Sequence, residues 1–137
     1  MLFSGPLTSY PLLKRVVFKR DVIDGLLSYC SEVHPREGIL LLRGRIKNDM
    51  IEVNALLIPP LPVNSETFSS FSMHMLPLDM SILGVAHSHP NGVLKPSMED
   101  LNNYFGRIMV IVGPPYLGEN DVAVFDREGE RAIFSVE

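Results

Sequence analysis

Gly38-Ile39-Leu40-Leu41-Leu42-Arg43-Gly44-Arg45-Ile46-Lys47-Asn48-Asp49-Met50-Ile51-Glu52-Val53-Asn54-Ala55-Leu56-Leu57-Ile58 is the stretch that decides how this chain folds. Two apolar runs, Gly38 to Ile46 and Met50 to Ile58, flank Lys47-Asn48-Asp49, a cluster whose side chains favour a tight turn. The pattern predicts two strands joined as a hairpin, and their nearly continuous apolar character predicts burial on both faces. Upstream, Val16-Val17-Phe18 reads as a short strand entering a helix from Asp21 to Glu32. Val22, Ile23, Leu26, Leu27, Cys30 and Val33 fall at helical spacing on one face, so this helix covers a sheet. Downstream, Pro59, Pro60 and Pro62 mark a loop, and Phe71, Met73 and Met75 alternate with Ser72 and His74 as in a half-exposed strand that turns His74 to solvent or a cleft. Ile82 to His89 predicts a strand, Ser97 to Phe105 a short helix, and Arg107 to Val112 a buried strand ended by Gly113-Pro114-Pro115. Asp121 to Phe125 and Arg131 to Val136, separated by Asp126-Arg127-Glu128-Gly129, read as a closing hairpin. Strands outnumber helices and are joined largely by hairpins. The expected class is therefore α+β: a curved mixed or antiparallel sheet with packed helices.

With 137 residues the chain fits one domain, 1–137, with 1–13 a less ordered lead-in, and it is long enough to bury a core without disulfides or structural metals. Apolar residues at 46% and charged residues at 20% exclude extensive disorder. A net charge of -4 leaves no basic footprint, so no nucleic-acid partner is expected. The single cysteine, Cys30, lies in the apolar helical pattern and is expected in the core; no disulfide can form within the chain. Met1 to Pro11 lacks a charged segment followed by an apolar run, and no stretch approaches the roughly twenty apolar residues of a membrane span. The cytoplasm is the expected location, with no membrane partner.

One segment carries chemistry. In His87-Ser88-His89-Pro90, alternation along a strand turns both imidazoles to one side and Ser88 to the other, so the two rings can share one metal ion. Pro90 and Asn91-Gly92 force the chain out of the strand, and Pro96 delays the next regular element to Ser97. Asp100 then falls in the first turn of a helix, from which a returning loop can bring its carboxylate to the histidines. His87, His89 and Asp100 plus one open position is the donor set of a catalytic zinc site. Ser97-x-x-Asp100 also reads as a helix capping box, with Asp in place of the usual Glu or Gln. Capping and ligation are compatible.

These residues resemble the signature of the JAMM (MPN+, Mov34/MPN-type) zinc metalloprotease domain: His-Ser-His-Pro, six residues, Ser, two residues, Asp. The family's upstream segment, Pro-x-Glu-x-x-Gly-Leu-Leu-x-Gly, is matched at Pro35, Glu37, Leu41, Leu42 and Gly44, while Leu40 stands where the family has Gly. The resemblance runs from about Val16 to Val136 and implies the JAMM/MPN (cytidine-deaminase-like) architecture, in a compact single-domain member of prokaryotic or archaeal type. It implies one zinc ion per chain and makes Glu37 the catalytic general base and acid. A carboxylate at the head of an apolar run also belongs at a cleft, in solvent or beside a partner, since burying it unpaired is costly. It gives Ser97 the role of oxyanion donor, beside the alternative of a plain helix cap. His34 reads as a solvent-side turn residue, and Asp79 and Glu99 are weaker candidates. The implied reaction is hydrolysis of an isopeptide or peptide bond at the C-terminus of a ubiquitin-like modifier or a sulfur-carrier protein, whose tail lies beside an exposed strand. Absence of a second set of Cys and His ligands points to a general member rather than a polyubiquitin specialist. The rival readings are a non-catalytic MPN scaffold in a multiprotein complex and a zinc hydrolase of small amides.

Overall fold

In the computed structural model, residues 15–59 and 81–137 are described; the lead-in 1–13, the alternating stretch around Phe71 to Met75, His74 and Asp79 lie outside them. The chain runs β1 (Arg15–Phe18), α1 (Arg20–Val33), β2 (Ile39–Lys47), β3 (Met50–Leu57), β4 (Ile82–Ser88), α2 (Met98–Asn102), β5 (Ile108–Val112), a 3-10 turn (Glu119–Asp121), β6 (Val122–Phe125), β7 (Arg131–Ala132) and β8 (Phe134–Val136). The eight strands among the described residues form one sheet in the order β7-β6-β5-β4-β2-β3-β1-β8. The sheet is mixed. β1 runs parallel to β3 and β8, and β4 to β5, whereas β2 pairs antiparallel with β3 and β4, and β6 with β5 and β7.

The expected hairpin of β2 and β3 forms, with Asn48 in the left-handed conformation at its turn. Burial on both faces holds only for Ile39 to Leu42. β3 alternates instead: Ile51 and Val53 are buried, while Glu52 pairs with Arg45 at 2.9 Å on the other side. Two register shifts bend the centre of the sheet. Leu83 has no partner opposite it between the pairs Leu42–Gly84 and Arg43–Ile82, and Asn54 is skipped between Arg43–Ala55 and Gly44–Val53. Each extra residue flips the alternation, which is why Ile82 and Val85 share one face and Leu83 and Ala86 the other.

α1 packs on the first face. Val22, Ile23, Leu26, Leu27 and Cys30 join Val16, Phe18, Leu40, Leu42, Val53, Ala86 and Val110 in the largest apolar cluster. Truncating the fully buried Leu26 to Ala would cost about 2–5 kcal/mol in lost transfer and residual cavity. The second face holds Ile39, Leu41 and Val85 beside Phe105, and Met109, Ile111 and Phe125 beside Leu94 and Tyr104. The loop and helix after β4 are thus pinned over that face. Gly84 permits the close pairing of β4 with β5, since a Cβ there would run into the Ile108 carbonyl oxygen.

Two expectations need correction. The helix read over Ser97 to Phe105 is only Met98–Asn102: Asn102 and Asn103 are poor helix formers, and Gly106 adopts φ 87°, which turns the chain into β5. The closing hairpin is real only at Arg131–Ala132. After Ile133 the chain pairs Phe134–Val136 with β1 at the opposite end of the strand order, so residues 131–136 tie the two ends of the sheet together. Phe134 seals this closure edge-on against Phe18, ring centres 5.5 Å apart. Among the described residues, no helix is long and apolar enough to cross a membrane.

Candidate metal centre

The C-terminal end of β4 delivers the two histidines. His87 is almost fully buried and His89 sits just past the strand, with ring centres 5.1 Å apart at an interplanar angle of 73°. Between them Ser88, wholly buried, points to the reverse face as alternation predicts. His89 is held by its own turn. Gly92 N–H donates to the His89 carbonyl at 2.8 Å across Pro90-Asn91, a turn with Pro in its second position and Gly92 at φ 83° in its fourth. The Asn91 side chain accepts from Val93 N–H at 2.9 Å, and the Val93 carbonyl lies 2.8 Å from His89 Nδ1. A carbonyl can only accept, so Nδ1 carries a proton, and Nε2, which faces the Asp100 carboxylate, is the nitrogen able to exchange its proton for a metal.

Asp100 comes back to the histidines from α2. Its Oδ2 lies 3.1 Å from His89 Nε2 and its Oδ1 lies 3.5 Å from His87 Nε2. The capping box is present as well: Ser97 N–H donates to Asp100 Oδ2 at 2.8 Å, and Asp100 N–H donates to Ser97 Oγ at 3.0 Å. Ser97 Oγ accepts in this arrangement, so its own hydroxyl proton remains available to a further acceptor. Glu37 reaches the cluster from the start of β2, its Oε2 3.5 Å from His87 Nδ1 and its side chain 30% exposed. The structure therefore brings Glu37, His87, His89 and Asp100 together, with Ser97 attached through Asp100. His34 stands apart at the end of α1, 2.7 Å from the Tyr116 hydroxyl, and Glu99 is exposed.

Charge explains the titration of the group. Burial alone would raise the Asp100 carboxyl, but the His89 hydrogen bond, the His87 charge and both bonds from Ser97 outweigh it and hold the carboxyl at about 2. His89 is raised above its ordinary value, first by the Asp100 hydrogen bond, against an opposing effect of burial, and further by the Val93 carbonyl and the charges of Asp100 and Glu37. A carboxylate that holds two imidazoles together is an arrangement a cation can enter in place of protons.

The donor set fits such a cation. Ligand atoms around a tetrahedral zinc at bond lengths of about 2.0–2.1 Å lie roughly 3.3 Å apart. Asp100 Oδ2 at 3.1 Å from His89 Nε2 and Asp100 Oδ1 at 3.5 Å from His87 Nε2 each lie near that spacing, one oxygen to each ring. Donor atoms of Glu37, His87 and His89 also fall within 4.8 Å of one another. Two carboxylates thus flank the histidines from different directions: Asp100 oxygens lie nearest Nε2 of the two rings, whereas the Glu37 carboxylate lies 3.5 Å from Nδ1 of His87.

Sequence reasoning missed two contributors. The Val93 carbonyl orients His89, and the Ser88 hydroxyl accepts from Gly38 N–H at 2.8 Å behind the site. The Asn91-Gly92 turn signalled the first and the reversed phase of Ser88 signalled the second, but neither names its partner.

Comparison with known proteins agrees with this geometry. Residues 19–127 match the family model for prokaryotic homologs of the JAB domain. A probable metalloprotease from Haloferax volcanii is 38% identical over 117 residues, 80% of this chain and 72% of the relative. A JAB1/MPN domain protein from Archaeoglobus fulgidus superposes with TM-score 0.64 at 30% identity, over 87% of this chain and 96% of that one. A structure described as JAMM, a metalloprotease-like zinc site in the proteasome and signalosome, superposes with TM-score 0.63 at 27% identity, over 92% and 99%. The match to the family model over residues 19–127, a span that contains the histidine and carboxylate cluster, makes this chain a member of the prokaryotic JAB family of JAB/MPN domains.

Proposed function

We propose that the chain is a zinc-dependent metalloprotease that hydrolyses isopeptide or peptide bonds at the C-terminus of ubiquitin-like or sulfur-carrier proteins. His87, His89 and Asp100 hold one zinc ion per chain, Glu37 moves the proton, and Ser97 donates to the developing oxyanion. The observation that carries the reading is the Asp100 carboxylate, which meets the Nε2 atoms of both histidines while Glu37 stands on another side of His87. The metalloprotease-like descriptions of two relatives support it.

A zinc ion bound there supplies Lewis acidity, making a water nucleophilic near neutral pH and polarising the scissile carbonyl. Glu37, outside the Nε2-facing set and part exposed, accepts the proton of the attacking water and passes it to the leaving amine. Ser97 Oγ is fixed by the amide of Asp100, so its hydroxyl proton is presented beside the ligand carboxylate where negative charge develops on the substrate oxygen. The Val93 carbonyl keeps His89 in the ligating tautomer throughout.

A non-catalytic scaffold has no use for a base placed beside the histidines. The deciding experiment measures zinc content and cleavage of ubiquitin-like and sulfur-carrier proteins fused through their C-terminal glycine. Stoichiometric zinc, cleavage at the junction, and loss of cleavage with a chelator are expected. Zinc-loaded protein that leaves every such fusion intact would refute the substrate assignment, and protein that binds no zinc would refute the metal centre.

A further inference from the structure

We propose that Ser88 is a positioning residue that sets the place of Glu37 through the Gly38 backbone. Regular pairing of β2 with β4 begins at Ile39 opposite His87, so Glu37 and Gly38 lie just outside the ladder and need another anchor. Ser88 provides two. Its hydroxyl accepts from Gly38 N–H at 2.8 Å, and its own N–H donates to the Gly38 carbonyl at 3.0 Å. Both polar groups of Gly38 are thereby tied to one residue, whose side chain is fully buried. α1 also presses on Gly38 directly, since a Cβ there would lie 3.1 Å from Tyr29 and from Val33. Ser88 thus ties the end of β4 to the head of β2, while Tyr29 and Val33 of α1 pack against the same Gly38. Glu37 follows from that point, with its carboxylate 3.5 Å from the ring of His87, the residue before Ser88. One dipeptide therefore serves both faces of the strand: His87 offers its imidazole to the cluster while Ser88, from behind, holds the backbone that carries the base.

The inference rests on Glu37 being the proton-transfer group, and it is separated from that reading by measurements that need no substrate. In Ser88→Ala the Gly38 amide loses its buried acceptor. Its hydrogen exchange, followed by NMR, is expected to speed up at least about tenfold while the amides of β5 keep theirs. Zinc affinity, measured by competition with a chelator, is expected to stay within about threefold of the parent, because no ligand is touched. Cleavage of a fusion substrate is expected to fall by about 10- to 100-fold. In a Glu37→Gln background the added Ser88→Ala change is expected to cost less than about twofold, since two residues acting through one group are not additive. Ser88→Thr, which keeps the hydroxyl, should restore Gly38 protection and most of the rate. Should Ser88→Ala fail to fold, Ser88→Cys, similar in size and a weaker acceptor, takes its place under the same thresholds. Unchanged Gly38 exchange, zinc affinity that falls in step with the rate, or full additivity with Glu37→Gln would each overturn the proposal. If the parent cleaves no fusion at all, the substrate reading fails, and faster Gly38 exchange with zinc affinity retained still supports the clamp while its absence overturns it.

Discussion

Replacing Asp100 by Asn in the metal-free protein removes a charge and little else, because the carboxamide oxygen can still accept from Ser97 N–H where Asp100 Oδ2 now does so at 2.8 Å. Holding the carboxyl at about 2 instead of 3.8, discounted for solvent screening of this part-exposed group and for the Ser97 bonds that Asn retains, is worth about 1 kcal/mol of folding free energy. The sign follows from the direction. A depressed folded-state pKa gives stability that is complete above the unfolded value and is lost as pH falls toward the folded one. About half of it is gone near pH 3. His89 sets the other limit: its pKa is raised, so its share of the pairing is present at low pH and is lost as pH rises through that raised value. The stability gap between parent and Asp100→Asn is therefore expected to be widest, about 1 kcal/mol, near pH 5.5, and to narrow on both sides. Urea unfolding of the two chelator-treated proteins at several pH values measures it. A gap that stays constant from about pH 3 to 8 would show that Asp100 acts only as a helix cap and that the carboxylate–imidazole pairing contributes nothing.

Glu37→Gln is expected to keep zinc content and unfolding midpoint while lowering turnover about 10²-fold or more; unimpaired cleavage would send the search for a base elsewhere. Ser97→Ala should cost about 1 kcal/mol as a lost cap in urea unfolding and about 10²- to 10³-fold in rate as a lost oxyanion donor, and a variant that cleaves at the parent rate leaves Ser97 a cap alone. Cys30 is 1% exposed, and burial pushes its thiol up to about 11 against the opposing bond from Ser88. At about pH 8 it should react with iodoacetamide only as fast as the chain opens, and rapid labelling of the folded protein would contradict the packing of α1 on β4.

What the sequence could disclose divides by range. The hairpin of β2 and β3 is local, and so is the first half of the last turn, where Gly129 at φ 80° and the Asp126 carboxylate, accepting from Glu128 N–H and Glu130 N–H at 2.9 Å, bring Arg131 and Ala132 beside β6. The three residues that follow a single exposed Ile133 pair instead with β1, more than a hundred positions away in the chain, and no periodicity within 131–136 distinguishes the two partners. The alternation of β3 was legible in Glu52, which stands between buried Ile51 and Val53, and in Asn54, which follows them. Reading the whole run as buried gave too much weight to its mean apolarity. The bulge at Leu83 was not legible, because an extra residue in a buried strand leaves the composition unchanged.

The site was legible for a different reason. His87 and His89 are two apart on one strand and Ser97 and Asp100 three apart at a helix start, so each pair is placed by the geometry of its own element and only the loop between them had to be supposed. That loop turns out to be built, not slack: Asn91 and Val93 form the turn that both reverses the chain and fixes the His89 tautomer. Glu37 is the opposite case. Its spacing from the histidines in sequence carries no geometric information, since fifty residues separate Glu37 from His87, and what sets their distance is Ser88, a side chain aimed away from the cluster at the backbone beside Glu37. Residues that touch a reacting centre have a chemistry that can be recognised by type. Residues that aim them are recognised only by their contacts, and for Glu37 that contact lies on the reverse face of β4.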